Sequence, residues 1–247
     1  MPFRDGCQRF NRGKVGQRKK HLDVFLQHMI SHLTRAGHRN FDVVIVNQTN
    51  HGLFNKGALF NLGVNTAFAR GCDYVALHDV DHLPTDAKNT YMWPSAPIHL
   101  CTNSSDVGWE RFAGGAVLMQ LSHYVLVNGF SNSYNRWVAE DLDLYDRVEK
   151  TLGAPIARLD PAVGHYTALD HEKDSFSQRG ADGTDSHESN LEQLRRQKDA
   201  KDRTVMDGDG YLQMRQHLRV VRTAIAGQVI TITAHVLNNG AVQPPCF

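Results

Sequence analysis

Tyr74-Val75-Ala76-Leu77-His78-Asp79-Val80-Asp81-His82-Leu83-Pro84 is the stretch around which the chain is organised. Its first four residues read as a short buried strand, and the strand runs out in two carboxylates one residue apart. Alternate residues of an extended backbone point the same way, so Asp79 and Asp81 are expected to face one site. Pro84 is expected to stop further strand pairing. In an open α/β sheet ligands sit beyond the carboxyl ends of the strands, where this pair falls. Oxygen ligands there suit a hard divalent cation, Mg²⁺ or Mn²⁺, itself bridged to a phosphate. Solvated turn carboxylates after a strand are common, so the weight rests on the rest of the chain.

Working outward, residues 55–70 predict a helix that feeds this strand, ended by Gly71. Before it, residues 41–47 (Val43, Val44, Ile45 and Val46) predict a strand covered on both faces, since an unbroken β-branched run suits such a sheet. Strand, helix, strand is a βαβ unit with a right-handed crossover. Upstream, Leu22, Phe25, Leu26, Met29, Ile30 and Leu33 fall at helical spacing over residues 17–36, and Gly37 supplies a stop.

Downstream, residues 84–112 carry Pro84, Pro94 and Pro97 and read as a long loop. Gly114-Gly115 precedes a strand at Ala116–Met119, and residues 140–150 predict a helix with Leu144, Tyr145 and Val148 on one side. Residues 172–210 are strongly polar and read as a mobile or surface segment with one charged helix near 186–201. Residues 218–225 and 228–237 predict a hairpin turning at Ala226-Gly227, with Ile230, Ile232, Ala234 and Val236 on a buried face. The class is α/β, a nucleotide-binding, Rossmann-like mixed sheet flanked by helices, with a C-terminal β-hairpin.

At 247 residues the chain is long enough to bury a sizeable core. With a net charge of +1, no field argues for nucleic acid or an anionic membrane as the main partner. No run of about 18 apolar residues is present to span a bilayer. Met1-Pro2-Phe3-Arg4-Asp5 leads straight into polar sequence, without a leader signature. Cys7, Cys72, Cys101 and Cys246 lack metal-binding spacing and permit up to two disulfides. Asn47-Gln48-Thr49 and Asn103-Ser104-Ser105 are formal glycosylation acceptors, compatible with a secretory lumen.

Three further constellations carry chemistry. Arg4, after Pro2 and Phe3, has the planar fork of donors that grips a diphosphate, against the plainer reading of a surface arginine. Phe54-Asn55-Lys56-Gly57 opens a helix whose free N–H groups attract anions, with Lys56 adding charge; an Asn cap beside a solvated lysine is the alternative. Trp137 with Glu140-Asp141-Leu142-Asp143 combines an aromatic face with carboxylates, a common way to hold a sugar, and one acid can act as general base. Its alternative is an acidic first helical turn favoured by the helix dipole. His165 and His171 flank a short run, and a neutral imidazole there can complete the coordination of a metal held by Asp81.

Taken in order, these pieces resemble the β-1,4-galactosyltransferase family. The matching stretches are Pro2-Phe3-Arg4, Val46-Asn47-Gln48, Phe54 to Gly63, His78-Asp79-Val80-Asp81, Phe112-Ala113-Gly114-Gly115, Asn128 to Asn132, Trp137 with Glu140-Asp141, and His171. Cys72 to Asp79 and Pro245-Cys246-Phe247 look most like the xylosylprotein branch, which adds galactose to xylose in the proteoglycan linker.

The resemblance implies a GT-A fold, UDP-galactose as donor, Mn²⁺ as cofactor and an inverting single displacement onto a terminal sugar hydroxyl. It implies Asp81 and His171 as metal ligands. Pro2, Phe3, Arg4, Phe54, Lys56, Asp79, Val80, Asp81, Gly115 and Trp137 would lie around the donor, and Phe112, Trp137, Glu140 and Asp141 around the acceptor, with Asp141 as base. It further implies one catalytic domain over 1–247: a nucleotide-binding half (1–83), an acceptor-binding half (84–174), a polar surface segment (175–210) and the hairpin (211–247). The family setting is the Golgi lumen, reached through an N-terminal anchor that these residues do not contain.

The sequence departs from the family pattern at several places. Asn135-Arg136-Trp137-Val138-Ala139 stands for Trp-Gly-Trp-Gly, and Leu142 stands where an acid is usual. Lys173 stands where the xylosylprotein branch has a second histidine, Ala168 stands where other branches have a methionine as the further metal ligand, and Phe112 stands for a frequent tyrosine. Transfer of N-acetylgalactosamine, transfer to N-acetylglucosamine, and a catalytically weak sugar-nucleotide-binding protein are the alternatives.

Overall fold

The computed structural model describes residues 12–49, 53–104, 111–136, 139–170, 186–199 and 204–237. The first predicted helix is α1 (Arg12–Arg35), and Phe25 and Met29 of its apolar stripe share a buried cluster with Leu83, Tyr91 and Leu118. Gly37 takes φ +95° just beyond it, a conformation that favours glycine. Three histidines tie this end of the chain to the loop after Pro84. His28, His32 and His38 place Nε2 at 2.8, 2.7 and 2.6 Å from the carbonyls of Pro84, Asn89 and Thr90.

β1 (Val43–Gln48), α2 (Lys56–Ala69) and β2 (Tyr74–His78) follow in the predicted order, but the predicted βαβ pairing does not form. β1 and β2 belong to different sheets. β1 pairs in parallel with β9 (Val229–Val236), which pairs antiparallel with β8 (Leu218–Ala226). β2 pairs antiparallel with β5 (Ala116–Gln120), and β5 also pairs β4 (Ile98–His99), itself beside β6 (Ala157–Arg158).

Burial explains the exchange. Ala116 to Met119 of β5 are buried at every position, so that strand takes a partner on both edges. In β9 the predicted alternation holds: Ile230, Ile232 and Ala234 bury one face with Leu62 of α2, and Val44 and Val46 pack beside them. β1 itself is half-buried rather than covered on both faces. The hairpin turn lies one residue later than expected, at Gly227-Gln228, because Ala226 still pairs with Val229; Gly227 takes φ +59° there.

Pro84 ends a strand but does not prevent pairing. β3 (His82–Pro84) runs antiparallel to β7 (Tyr166–Ala168), with Pro84 opposite Tyr166. The flanking bonds, Leu169 N–H to Asp81 O at 2.7 Å and Thr85 N–H to His165 O at 3.1 Å, put Pro84 at a non-hydrogen-bonded position. There the missing N–H costs nothing.

After β5 come α3 (Leu121–Leu126), which the sequence pattern did not reveal, and α4 (Glu140–Leu152). Leu144, Tyr145 and Val148 of α4 are buried with Val117, Met119 and Phe130. The polar stretch beyond holds α5 (Ser186–Asp199) and α6 (Thr204–Gly208), followed by a 3-10 helix (Tyr211–Gln216). It is more than a surface segment. Leu194 is buried with Tyr134 and Ala139, Leu142 packs on that cluster, and Asn190 Nδ2 donates to Asn135 O at 2.8 Å.

Candidate functional site

Asp79 follows β2, and His82 begins β3 after Asp81. The chain between them is a turn, closed by His82 N–H to Asp79 O at 3.3 Å, rather than the extended run expected. The turn still brings the carboxylates together and sets His82 beside them as a third group that could hold a metal ion. One donor atom from each of Asp79, Asp81 and His82 lies within 4.8 Å of the others. Asp81 and His82 are buried, and Asp81 Oδ1 is 3.2 Å from His82 Nδ1. Two carboxylates and an imidazole at this spacing fit one divalent ion of the Mn²⁺ type. His82 was not singled out from sequence, although its place directly after Asp-Val-Asp was the available signal.

Lys56 is the first residue of α2. Asn55 caps the helix through Oδ1 to Ala58 N–H at 2.8 Å, and its Nδ2 donates to Asn132 O at 2.6 Å. Asn132 is held in turn by Asp209, which accepts from its N–H at 3.0 Å and from Ser131 and Ser133 hydroxyls. Burial pushes the Asp209 carboxyl up, but these donors outweigh it and hold it below the usual range. The cap is therefore braced from the far end of the chain.

From that anchored turn Lys56 Nζ reaches Asp141 Oδ2 at 2.9 Å, Asp79 Oδ2 at 3.2 Å and Glu140 Oε1 at 3.8 Å. Burial disfavours the ammonium, yet Asp141, Asp79 and Glu140 outweigh it and hold its pKa well above the ordinary lysine value. The lysine is largely buried rather than solvated. It joins the two acidic clusters.

Glu140 and Asp141 open α4, and Ala139 precedes them at φ +83° without a side-chain cap. Both are buried, at 6% and 7% exposure. Burial pushes the Glu140 carboxyl up to about 8, with Asp141 adding to the rise and Lys56 opposing it. Asp141 is also raised, by burial first, with Lys56 opposing.

This predicts a pH dependence of stability. The Glu140 value in the folded chain lies above its ordinary 4.5, so the folded state holds the proton more tightly. That contribution is full below the unfolded value and is lost as pH rises through the folded one. Thermal midpoints measured from about pH 5 to about pH 9 should fall, and Glu140→Gln should flatten the fall. An unchanged slope in the variant would sink the assignment.

Gly114 and Gly115 form the wall between these groups. Gly115 takes φ +78°, its N–H donates to Asp79 Oδ2 at 3.3 Å, and a Cβ there would come 2.9 Å from Cys101. A Cβ on Gly114 would collide with the Phe112 ring and approach Asp141 Oδ2 at 2.8 Å. The Phe112 ring and Asp141 Oδ2 thus both border Gly114. Val80 is half-buried and packs against the cluster that holds Leu83 and Tyr91. Phe54 is 53% exposed, with its carbonyl accepting from Arg136 N–H at 2.6 Å. Pro2, Phe3, Arg4, Trp137 and His171 lie outside the described residues. His165 is exposed and bonded to Thr85 through Nδ1 at 2.7 Å.

Comparison with known proteins gives a consistent result. Residues 14–94 match the model for the N-terminal region of glycosyl transferase group 7, and residues 99–172 match that for the N-terminal domain of galactosyltransferase. β-1,4-Galactosyltransferase 4 of Cricetulus griseus is 33% identical over 170 residues, covering 67% of this chain and 49% of that protein. β-1,4-Galactosyltransferase 3 of the same organism is 31% identical over 179 residues, covering 68% and 45%. The chain thus spans about half the length of the curated relatives it matches. A mutant of Drosophila β-1,4-galactosyltransferase 7, solved with manganese, UDP-Gal and xylobiose, superposes with a TM-score of 0.70 at 22% identity, over 96% of this chain and 92% of that one. The catalytic domain of that Drosophila enzyme with xylobiose gives a TM-score of 0.71 at 22% identity, over 93% and 92%. At that identity the superpositions speak for a shared GT-A-type fold.

Proposed function

The chain belongs to the β-1,4-galactosyltransferases of glycosyl transferase group 7, and from that premise we propose that it transfers galactose from UDP-galactose to a terminal sugar hydroxyl by a manganese-dependent, inverting displacement. The acceptor proposed is xylose, and the proposed setting is the Golgi lumen in proteoglycan assembly. Among the described residues no helix is long and apolar enough to cross a membrane. The carrying observation is Lys56: one ammonium holds Asp79, from the turn after β2, within reach of Asp141, from the start of α4.

Asp79, Asp81 and His82 would hold the metal, with His171 as a further proposed ligand. A divalent cation bound there would neutralise the diphosphate and stabilise UDP as it leaves. The chain's own groups do the rest. Asp141 accepts the proton of the acceptor hydroxyl while that oxygen bonds to the anomeric carbon and the bond to diphosphate breaks. A base must be ionised; burial raises the Asp141 carboxyl, and Lys56 opposes that rise and so favours the ionised form. Glu140 is buried beside it and suited to hold an acceptor hydroxyl. Phe112 and Gly114 shape the wall against which the sugars lie. Trp137, with Pro2, Phe3, Arg4 and Phe54, completes the proposed donor surroundings.

A second reading, a sugar-nucleotide binder with weak turnover, is favoured by Leu142. Its side chain packs with Tyr134, Ala139 and Leu194 and offers no group to an acceptor. UDP release from UDP-galactose and Mn²⁺, with and without a β-xyloside, separates the readings. Release that needs both metal and xyloside supports the transferase. Metal-dependent UDP-galactose binding without release on any sugar acceptor supports the binder.

A further inference from the structure

Behind the acidic group, a buried histidine holds the peptide against which Asp79 rests. His99, in β4, has no exposed surface. Its Nδ1 lies 3.1 Å from Arg158 Nη1, and its Nε2 lies 2.7 Å from the Gly114 carbonyl oxygen. A guanidinium can only donate, so Nδ1 is the acceptor and the ring proton sits on Nε2, donated to Gly114. Burial lowers the imidazole to about 4; the Gly114 bond opposes this and Arg158 adds to it. The ring is therefore neutral near pH 7 and fixed in one tautomer.

The Gly114 carbonyl and the Gly115 N–H are the two ends of one planar trans peptide, pointing opposite ways. One end receives the His99 proton. The other donates to Asp79 Oδ2 at 3.3 Å, the same oxygen that faces Lys56. Asp79 N–H returns to Gly115 O at 2.8 Å, and Ala116 N–H shares the Gly114 carbonyl at 3.0 Å. The Phe112 ring, close over Gly114, meets the His99 ring edge-on at 6.2 Å and 82°. A run of hydrogen bonds thus passes from exposed Arg158 through His99 and one peptide to a carboxylate of the metal-binding group. Such chains polarise one another.

We infer that His99 is a positioning residue: through the Gly114-Gly115 peptide it sets the orientation of the Asp79 carboxylate, and Arg158 fixes the tautomer that does so. The inference deepens the transferase reading and rests on it only for what Asp79 serves. A Phe at 99 would keep a ring but leave Gly114 without that donor. A Gln at 99 would keep an N–H near the same place.

Gly114-Gly115 is the one Gly-Gly pair in the sequence. Protein grown with ¹³C-carbonyl, ¹⁵N-glycine therefore gives a single carbonyl–amide correlation, which reports both ends of this peptide without metal or substrate. His99→Phe should move both its carbonyl and amide resonances, His99→Gln should return them toward wild type, and Arg158→Met should move them part of the way. In parallel, titration with manganese chloride alone should show His99→Phe weakened by about tenfold or more and His99→Gln within about threefold of wild type. Unmoved amide resonance and unchanged manganese affinity in a folded His99→Phe protein would overturn the inference. If that variant does not fold, Arg158→Met decides, and unmoved resonances there overturn it equally. A wild-type protein that takes no manganese, or forms no product, defeats the transferase reading; the resonances still decide the His99 relay.

Discussion

Asp141→Asn should lower kcat by about 10²–10⁴-fold, the range over which a positioned general base contributes. The change is isosteric, so Lys56 keeps a neighbour at the same place while the group that accepts the proton is lost. Asp79, 3.2 Å from Lys56, remains to compensate the ammonium. The thermal midpoint should therefore change little, and UDP-galactose should still bind. Full turnover by this variant would sink the assignment of the base. Lys56→Met tests the same logic from the other side. With its ammonium gone, burial would raise Asp141 further, so the acid limb of the rate profile should move to higher pH.

The largest loss of stability should follow Arg147→Met. Arg147 and Asp143 are both completely buried, and Nε donates to Asp143 Oδ2 at 2.7 Å. Arg147 Nη1 also reaches Met206 O at 3.3 Å, which fastens α6 to α4. Burial pushes the Asp143 carboxyl up to about 6, against the pull of Arg147. Removing the arginine alone leaves an uncompensated buried carboxylate and should cost about 3–5 kcal/mol, lowering Tm by on the order of 10 °C. Replacing both partners, as Asp143→Leu with Arg147→Met, should recover much of the loss, because an apolar pair carries no desolvation penalty. Chemical denaturation of both variants checks this. A single variant as stable as wild type would show that the pair does not hold α6 in place.

Local pattern was the legible part of this protein. The helical stripe of Leu22, Phe25 and Met29, the Asn55 cap, the Asp79–Asp81 spacing and the alternation of Ile230, Ile232 and Ala234 are all set by residues a few positions apart. Near-neighbour geometry is what a sequence writes directly. α3 escaped because six residues that include Ser122 and His123 give too short a period to register. The hairpin turn was missed by one residue, since Ala226 and Gly227 offer similar local signals and only the register with Val229 decides.

Partnership was decided elsewhere. β1 takes β9 instead of β2 because the C-terminal hairpin must bury its apolar face on α2, a demand raised some 185 residues away, as the Thr49 to Ala234 bond shows. Pro84 pairs because its register happens to need no N–H. Lys56 becomes the link between two acidic clusters only when α4 is delivered beside α2, 85 residues along the chain. Propensity and spacing set most of the longer helices and strands and which carboxylates are available for chemistry. The tertiary structure alone decided which of those groups meet, because burial and charge compensation are summed over contacts that no local window contains.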